Sequence, residues 1–444
     1  MPSIVALTLC TIFVLFLLQL DRKQYPGVSL SLWVPTLWFL LATSKPLGIW
    51  FGSSGGSMEE GSAIDRSVLI LLLCLGLLII KKRNVNIIGS LQQNPSVILL
   101  IGFMLISISW SDIQFVSFKR WVRSFIPIVM ALIVASEDNP RQALQCIFRR
   151  IIYIHIPFSL MLIKYYPDLG VQYGGWSGAL MWVGVGTQKN GLAFLSMFSL
   201  FYFIWTFIRR RQGRDIPVVW YQKYVEIFIV FLSIWLFIGP NKTLTYSATA
   251  MAVLAVGLIS LVGLLWLKRH NIIMSANTLT ILIMLIIIYG TVTPFIGGFT
   301  LFDPTAALNR EETITGRSDI WANLVPYAMQ KPILGHGYGG FWTVAIQEST
   351  YFPAHNGYLE TILNTGFIGL LFLSIFLISN CRQAQKLMAR DFDWGILWFC
   401  ILLMAATRNI TESVVISLTE FLPAVLLFIM ISTSLNLTKQ TERQ

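Results

Sequence analysis

Apolar runs recur along the whole chain, separated by short polar or basic connections. Each run is about as long as the roughly 20 residues a helix needs to cross a bilayer. They begin near residues 3, 28, 67, 96, 121, 147, 191, 226, 246, 276, 358, 394 and 412. The pattern predicts an all-α fold, a polytopic transmembrane helix bundle of about 12–13 spans, with residues 1–444 forming one integral membrane domain. Basic groups in the connections all fall on one side of an alternating count. They are Lys81-Lys82-Arg83, Arg149-Arg150, Arg209-Arg210-Arg211 with Arg214, Lys268-Arg269, and Arg382, Lys386 and Arg390. Positive charge collects on the cytoplasmic side of membrane proteins, so that side is expected to be cytoplasmic. The N-terminus is then outside and the C-terminus inside. If Ile4 to Leu20 lay in the interface instead of across it, the count would be twelve and the N-terminus cytoplasmic. Either way one long connection, residues 295–357, is expected on the outer, extracytoplasmic side.

Composition agrees. Of the 444 residues 55% are hydrophobic and 12% charged, and the mean hydropathy is +0.70. A soluble domain carries about 25% charged residues, so a large soluble core is excluded. The net charge of +11 would suit nucleic acid, but its basic clusters lie between apolar runs and read as a topology signal. No nucleic-acid partner is expected. The first run lacks a basic start and reads as a span, not as a cleaved signal. The five Cys are isolated, in or near apolar stretches, without CxxC spacing, and read as small apolar packers. The four His are scattered. Neither a metal centre nor a cofactor is expected. The two halves differ in loop length and charge, and charged residues are scarce within the spans, with Glu420 the clearest exception. Both features count against a transporter or an ion relay.

With few polar groups in the spans, chemistry is expected at one water-facing end. The inner connections are short and basic, and anchoring explains them. The outer face carries Lys119-Arg120 and Arg123, Lys189-Asn190, Asn241-Lys242, the long loop, and Arg408-Asn409 with Glu412. Cations on the translocated side run against the orientation rule. As a converging set they suit a diphosphate, whose oxygens match the guanidinium fork. Taken singly, each is more often paired with a carboxylate or snorkelling to a headgroup.

Most connections run about four to six residues, so a loop as long as 295–357 is either functional or disordered. Aromatic residues at intervals point to a folded loop. Thr315-Gly316-Arg317-Ser318-Asp319 reads as a helix start, with a capping hydroxyl and an acidic first turn. The helix is expected to reach about Met329, with Ile320, Leu324 and Val325 on one face and Trp321 at its border. That face would lie on the membrane-embedded body. It stops at Lys331-Pro332. The glycine series Gly335-His336-Gly337-Tyr338-Gly339-Gly340-Phe341 has no strand before it and no Lys-Ser/Thr after it, so it turns the backbone and does not bind a nucleotide. His355 sits at a water–membrane boundary, where an imidazole titrates near neutral pH. On composition alone such a His is more often structural.

These residues resemble a known family. The order is Gly-Arg-Ser-x-x-Trp at 316–321, Pro-Ile-Leu-Gly-His-Gly-Tyr-Gly-Gly-Phe at 332–341, His-Asn-Gly-Tyr-Leu-Glu at 355–360 and Thr-Gly-Phe-Ile-Gly at 365–369. It is similar to the O-antigen ligase and O-antigen polymerase family of bacterial envelope enzymes. Gly-Thr-Gln-Lys-Asn-Gly-Leu-Ala at 186–193 resembles another of its signatures. Leu-Trp-Val-Pro-Thr-Leu-Trp at 32–38 and Thr-Ser-Lys-Pro-Leu at 43–47 look like members involved in exopolysaccharide production. The resemblance implies a metal-independent inverting glycosyltransferase of the GT-C-like membrane type in the bacterial inner membrane. Its donor would be an undecaprenyl-diphosphate-linked oligosaccharide at the periplasmic face, and its acceptor a glycan or lipid. Other envelope polysaccharide assembly proteins are possible partners.

Carried over by motif, His355 matches the loop histidine proposed to activate an acceptor hydroxyl, and Arg317 the loop arginine that holds the diphosphate. Lys242 stands where members commonly have Arg, keeping the charge and losing the fork. Lys189 is a further phosphate contact, and Arg120, Arg123, Arg408 and Asn356 complete the expected binding set. Tyr173, Trp176, Trp321 and Tyr338 could stack on sugars, although interface anchoring is their commoner use. Polymerisation of repeat units is the favoured reading. Ligation of the glycan to lipid A-core is the alternative within the family. A lipid-linked oligosaccharide flippase and a non-catalytic scaffold are the alternatives outside it.

Overall fold

The computed structural model describes residues 1–52, 62–174, 178–214, 218–240, 247–272, 275–297, 315–350, 353–413 and 416–441. Among the described residues most of the chain is helical, and the strands form one small hairpin. The first helices are α1 (Ser3–Gln24), α2 (Trp33–Ala42, entered through a 3-10 turn, Leu30–Leu32), α3 (Leu47–Trp50), α4 (Ala63–Lys82), α5 (Ile87–Gln92), α6 (Pro95–Ser107), α7 (Gln114–Ala135), α8 (Pro140–Tyr165) and α9 (Pro167–Gly170). Strands β1 (Val171–Tyr173) and β2 (Leu180–Trp182) pair antiparallel, Val171 opposite Trp182. Then come α10 (Lys189–Arg211), α11 (Gln222–Ile238), α12 (Ala248–Arg269) and α13 (Ala276–Val292). Helices α14 (Thr315–Gln330) and α15 (Val344–Ser349) lie in the long connection, and α16 (Gly357–Arg390), α17 (Phe392–Arg408) and α18 (Phe421–Thr441) follow it.

A helix begins within nine residues of every expected span start. Seven helices are long and apolar enough to cross a membrane by length and composition, and three shorter ones are apolar. The protein is an all-α polytopic membrane protein. Helices α8 and α10 run through its interior, with 78% of their apolar windows buried, against 22% for α1 and α12 and 17% for α4. Apolar side chains left on those outer helices are what a lipid-facing surface requires, because a lipid tail is as apolar as the side chain it meets.

Polar contacts occur at both ends of the bundle. At one end Arg83 bonds Ser29, Ser136 and Glu137, and Arg141 meets Asp391 at 2.6 Å. At the other end Trp110 donates to Leu334 and Asn356 to Gly290.

Two expectations need correction. Charged residues are not scarce among the helices. Arg149 on α8 pairs with Glu226 on α11 at 2.5 Å with both side chains fully buried, and Arg210 joins them. Arg150 pairs with Asp21 on α1 at 2.8 Å, and Cys146 donates to the same Asp21, so this thiol is more than an apolar packer. Each charge is flanked by enough apolar residues to leave the local hydropathy high. Removing one partner of such a buried pair costs about 3–5 kcal/mol, because the other is stranded. The last helix, moreover, starts at Phe421 and not near 412. Glu420 therefore precedes it, in the connection that also carries Glu412.

The loop helix α14 has the expected bounds, but its buried stripe is Trp321, Leu324 and Ala328, with Ile320 and Val325 only partly covered. It packs on α16 and on the 3-10 turn Thr293–Ile296. Helix α16 is broken at Gly366, where φ is 65° and ψ −169°. The segment after α14 fills the break. His336 donates to the Leu363 carbonyl, while Phe367 and Ile368 donate to those of Pro332 and Ile333. The close approach explains the glycines. A methyl on Gly335 would lie 2.6 Å from the backbone of Asn364 and Gly366, and one on Gly366 would lie 2.2 Å from the Ile333 carbonyl oxygen.

Gly366→Ala combines a left-handed φ with a backbone clash, so it should destabilise by about 2 kcal/mol or more. The measurement is thermal unfolding in detergent followed by tryptophan fluorescence. An unchanged Tm would refute the docking of the loop into the break.

Candidate functional site

His355 is held from both sides. Ala354 before it is buried, and its carbonyl accepts the Trp321 indole N–H at 2.9 Å. Asn356 after it caps α16, its side-chain oxygen accepting from the N–H groups of Tyr358 and Leu359 at 3.0 and 2.9 Å. Such a cap satisfies helix donors that would otherwise stay unpaired. Its amide nitrogen donates to Gly290, and the residue is fully buried. In this structure the Asn356 side chain is occupied as a cap and as a donor to Gly290. Between these fixed neighbours His355 takes a left-handed φ of 48°, an unusual conformation that concentrates at functional positions. Its side chain remains 29% exposed.

Three charged residues gather beside it, centred on Glu412. The Nδ1 atom of His355 faces Glu412 Oε2 at 3.8 Å, while Arg317 Nη2, from the first turn of α14, faces Oε1 of the same carboxylate at 3.8 Å. Asn190, at the start of α10, donates to that Oε1 at 2.8 Å. Arg408, the last residue of α17, stacks its guanidinium 3.7 Å over the Phe194 ring. Burial alone would raise the pKa of Glu412. The facing His355 and the charges of Arg317 and Arg408 outweigh it and hold the carboxyl below its usual range. Burial pushes the Arg317 pKa down, and Glu412 opposes that shift. At 3.8 Å neither pair is a hydrogen bond. Glu412 thus lies between the two groups without closing a hydrogen bond to either.

His355, Arg317, Arg408 and Asn190 are thus brought to one carboxylate that the outer-face polar set included only as a neighbour of Arg408. The signal was weak: Glu412 lies inside an apolar stretch that reads as the start of the last span. Arg120 and Arg123 form a different cluster. Arg120 donates to the Gly339 carbonyl, and both arginines face Tyr338, whose hydroxyl meets Ser124 at 2.6 Å. Burial pushes this phenol up. Tyr338 and Trp321 are both buried and hold the loop, so neither stacks on a sugar nor anchors at an interface. Tyr173 is exposed. Trp176 and Lys242 lie outside the described residues.

Lys189 opens α10 and lines a crevice with Trp182, Gly239, Pro240 and Ser247, which places it beside the residues flanking 241–246. The segment leading to it is fastened from the N-terminal part of the chain. Lys45 is buried and donates its ammonium to the carbonyls of Gly184 and Gly186. Burial lowers its pKa to about 8. The two sequence signatures at 43–47 and 186–193 therefore meet in space.

The lowered Glu412 pKa has a signed consequence. A carboxylate whose folded pKa lies below its unfolded value of about 4.3 stabilises the fold above that pH and stops doing so as pH falls through the folded value. Thermal stability of the wild type should fall more steeply than that of Glu412→Gln as pH drops below about 4.3. Superimposable pH profiles for the two proteins would contradict the arrangement.

Residues 236–374 match the model of the O-antigen ligase family. The match covers the long connection, Arg317, His355 and the broken part of α16. The exopolysaccharide production protein ExoQ of Rhizobium meliloti (strain 1021) is 22% identical over 305 residues, 66% of this chain and 65% of that protein. The alignment thus spans less than two thirds of the relative's length. The part of the chain that carries Arg317 and His355 is thus similar to the O-antigen ligase family, and the chain is distantly similar to an exopolysaccharide production protein.

Proposed function

We propose that the protein is a glycosyltransferase that polymerises undecaprenyl-diphosphate-linked repeat units of an envelope polysaccharide. The observation that carries this reading is the pairing of His355 with Glu412 beside Arg317. The carboxylate faces Nδ1, which leaves Nε2 for an acceptor hydroxyl. A base oriented by an acid in this way is the usual arrangement for activating an oxygen nucleophile. As the hydroxyl oxygen bonds to the anomeric carbon, its proton passes to His355. The bond from that carbon to the diphosphate oxygen breaks, and its electron pair leaves with the lipid diphosphate. Attack opposite the leaving group inverts the anomeric centre. Arg317 and Arg408 would meet the developing charge, work that fixed cations do well in a partly buried site. A diphosphate is already a good leaving group, so the reaction needs no metal.

The basic clusters at the opposite end support a periplasmic location for this site. Polymerisation is preferred to ligation because the matched relative is by name an exopolysaccharide production protein, and because the signatures at 32–38 and 43–47 resemble such members.

Deleting the gene should abolish long glycan chains while single repeat units persist. Free long chains that never reach a lipid acceptor would instead identify a ligase. His355→Ala and Arg317→Ala should each lower activity by about 100-fold or more, with the protein still present in the membrane by immunoblot. Full activity of His355→Ala would remove the base from the mechanism.

A further inference from the structure

A large cavity lies at the end of the bundle opposite His355. It is separated from that residue by the whole of the 34-residue α16 and by α17, which returns from it. Its volume is about 970 Å³, ample for a group carrying two phosphates. Five cations line it: Arg141, Arg209, Arg214, Lys268 and Arg390. The facing carboxylates are Asp138 and Asp391, with Asp393 just behind, so positive charge is in excess. Two helices also begin here, α8 at Pro140 and α17 at Phe392, and the partial positive charge of a helix start favours anions.

The ion pairs inside the cavity do not use up its donors. Arg141 takes Asp391, and Arg214 takes Asp393. Arg209 reaches Asp393 only at 3.8 Å and lies over the Trp205 ring, with its Nε and Nη1 atoms buried and without a hydrogen-bond partner. Buried donors of this kind are costly to leave unmet. Lys268 is exposed and rests 4.1 Å over the Phe392 ring, with no carboxylate partner among the described residues. A guanidinium with buried unmet donors, beside an exposed ammonium and two helix starts, is a site for phosphate oxygens.

We propose that this cavity binds a phosphate-bearing anion, with Arg209 and Lys268 as its principal contacts. Two sources share that chemistry: the headgroup of an anionic phospholipid at the membrane surface, and a soluble phosphate. The site is independent of the glycosyl-transfer site and stands whether or not that reading holds.

Native mass spectrometry of the purified full-length protein tests it, with tetraoleoyl cardiolipin, dioleoyl phosphatidylcholine and sodium pyrophosphate as probes. Cardiolipin should be retained in preference to phosphatidylcholine. Lys268→Gln and Arg209→Gln should each weaken retention about fivefold, while Lys81→Gln, an exposed lysine at the same end but outside the cavity, should not. Lys268 is exposed, so its substitution reads the site without disturbing the fold. Cardiolipin retention that pyrophosphate leaves unchanged identifies the lipid source. Pyrophosphate binding that displaces cardiolipin and depends on Lys268 identifies the soluble one. Equal retention of phosphatidylcholine, or equal losses in Lys81→Gln and Lys268→Gln, would overturn the proposal.

Discussion

A backbone among apolar helices and lipid must satisfy its own N–H and C=O groups, since no water is present to do so. An unbroken helix meets that demand alone; a broken one cannot. Helix α16 is broken at Gly366, and its freed groups are met by the backbone between Pro332 and His336. Much of the end that carries His355 depends on this exchange. It fixes the segment after α14, and with it the glycine run that presses on α6 and α7. Through Trp321 it also fixes the residue that precedes His355. The break in the helix and the order in the loop are one requirement seen from two sides.

The outer cluster shows a second economy. Glu412 faces an imidazole and a guanidinium at the same 3.8 Å, so one carboxylate places both groups. A single anion between two functional groups couples their positions without consuming their donors. A bound diphosphate would compete with Glu412 for Arg317, so the arrangement keeps the guanidinium desolvated yet exchangeable. The buried pairs at the other end differ. Arg149 with Glu226, and Arg150 with Asp21, are at hydrogen-bond distance and closed to solvent, which suits joining helices and not exchanging partners.

Much of this was legible from periodicity. Apolar runs of bilayer length locate the helices, and the last start is displaced furthest, because α18 begins only at Phe421. The motif residues His355 and Arg317 do converge. What stayed hidden was long-range. Hydropathy averages over a window, so Asp21, Arg149 and Glu226 vanish among their apolar neighbours, and their pairing spans 77 residues or more. Asn356 looked like a ligand because it adjoins His355, yet capping, a matter of backbone geometry, occupies its side chain. Arg120 looked equivalent to Arg317 because both are outer-face cations, but nothing local distinguishes a loop clamp from a site residue. The meeting of Lys45 with Gly184 and Gly186 could not be inferred from spacing at all.

The residues around His355 come from widely separated parts of the chain: Asn190 on α10, Arg317 on α14, and Glu412 after α17. The contact between Asn190 and Glu412 alone closes 222 residues. Membrane helices enter the bilayer in the order of synthesis, so the carboxylate is the last of these groups to arrive. Until α17 has inserted and turned back, His355 has no acid beside it and Arg317 no counter-charge. His355 and Glu412 are 57 residues apart, so the pair closes only after α16 and α17 have both been made. The cluster is therefore completed late, when only α18 remains to be inserted.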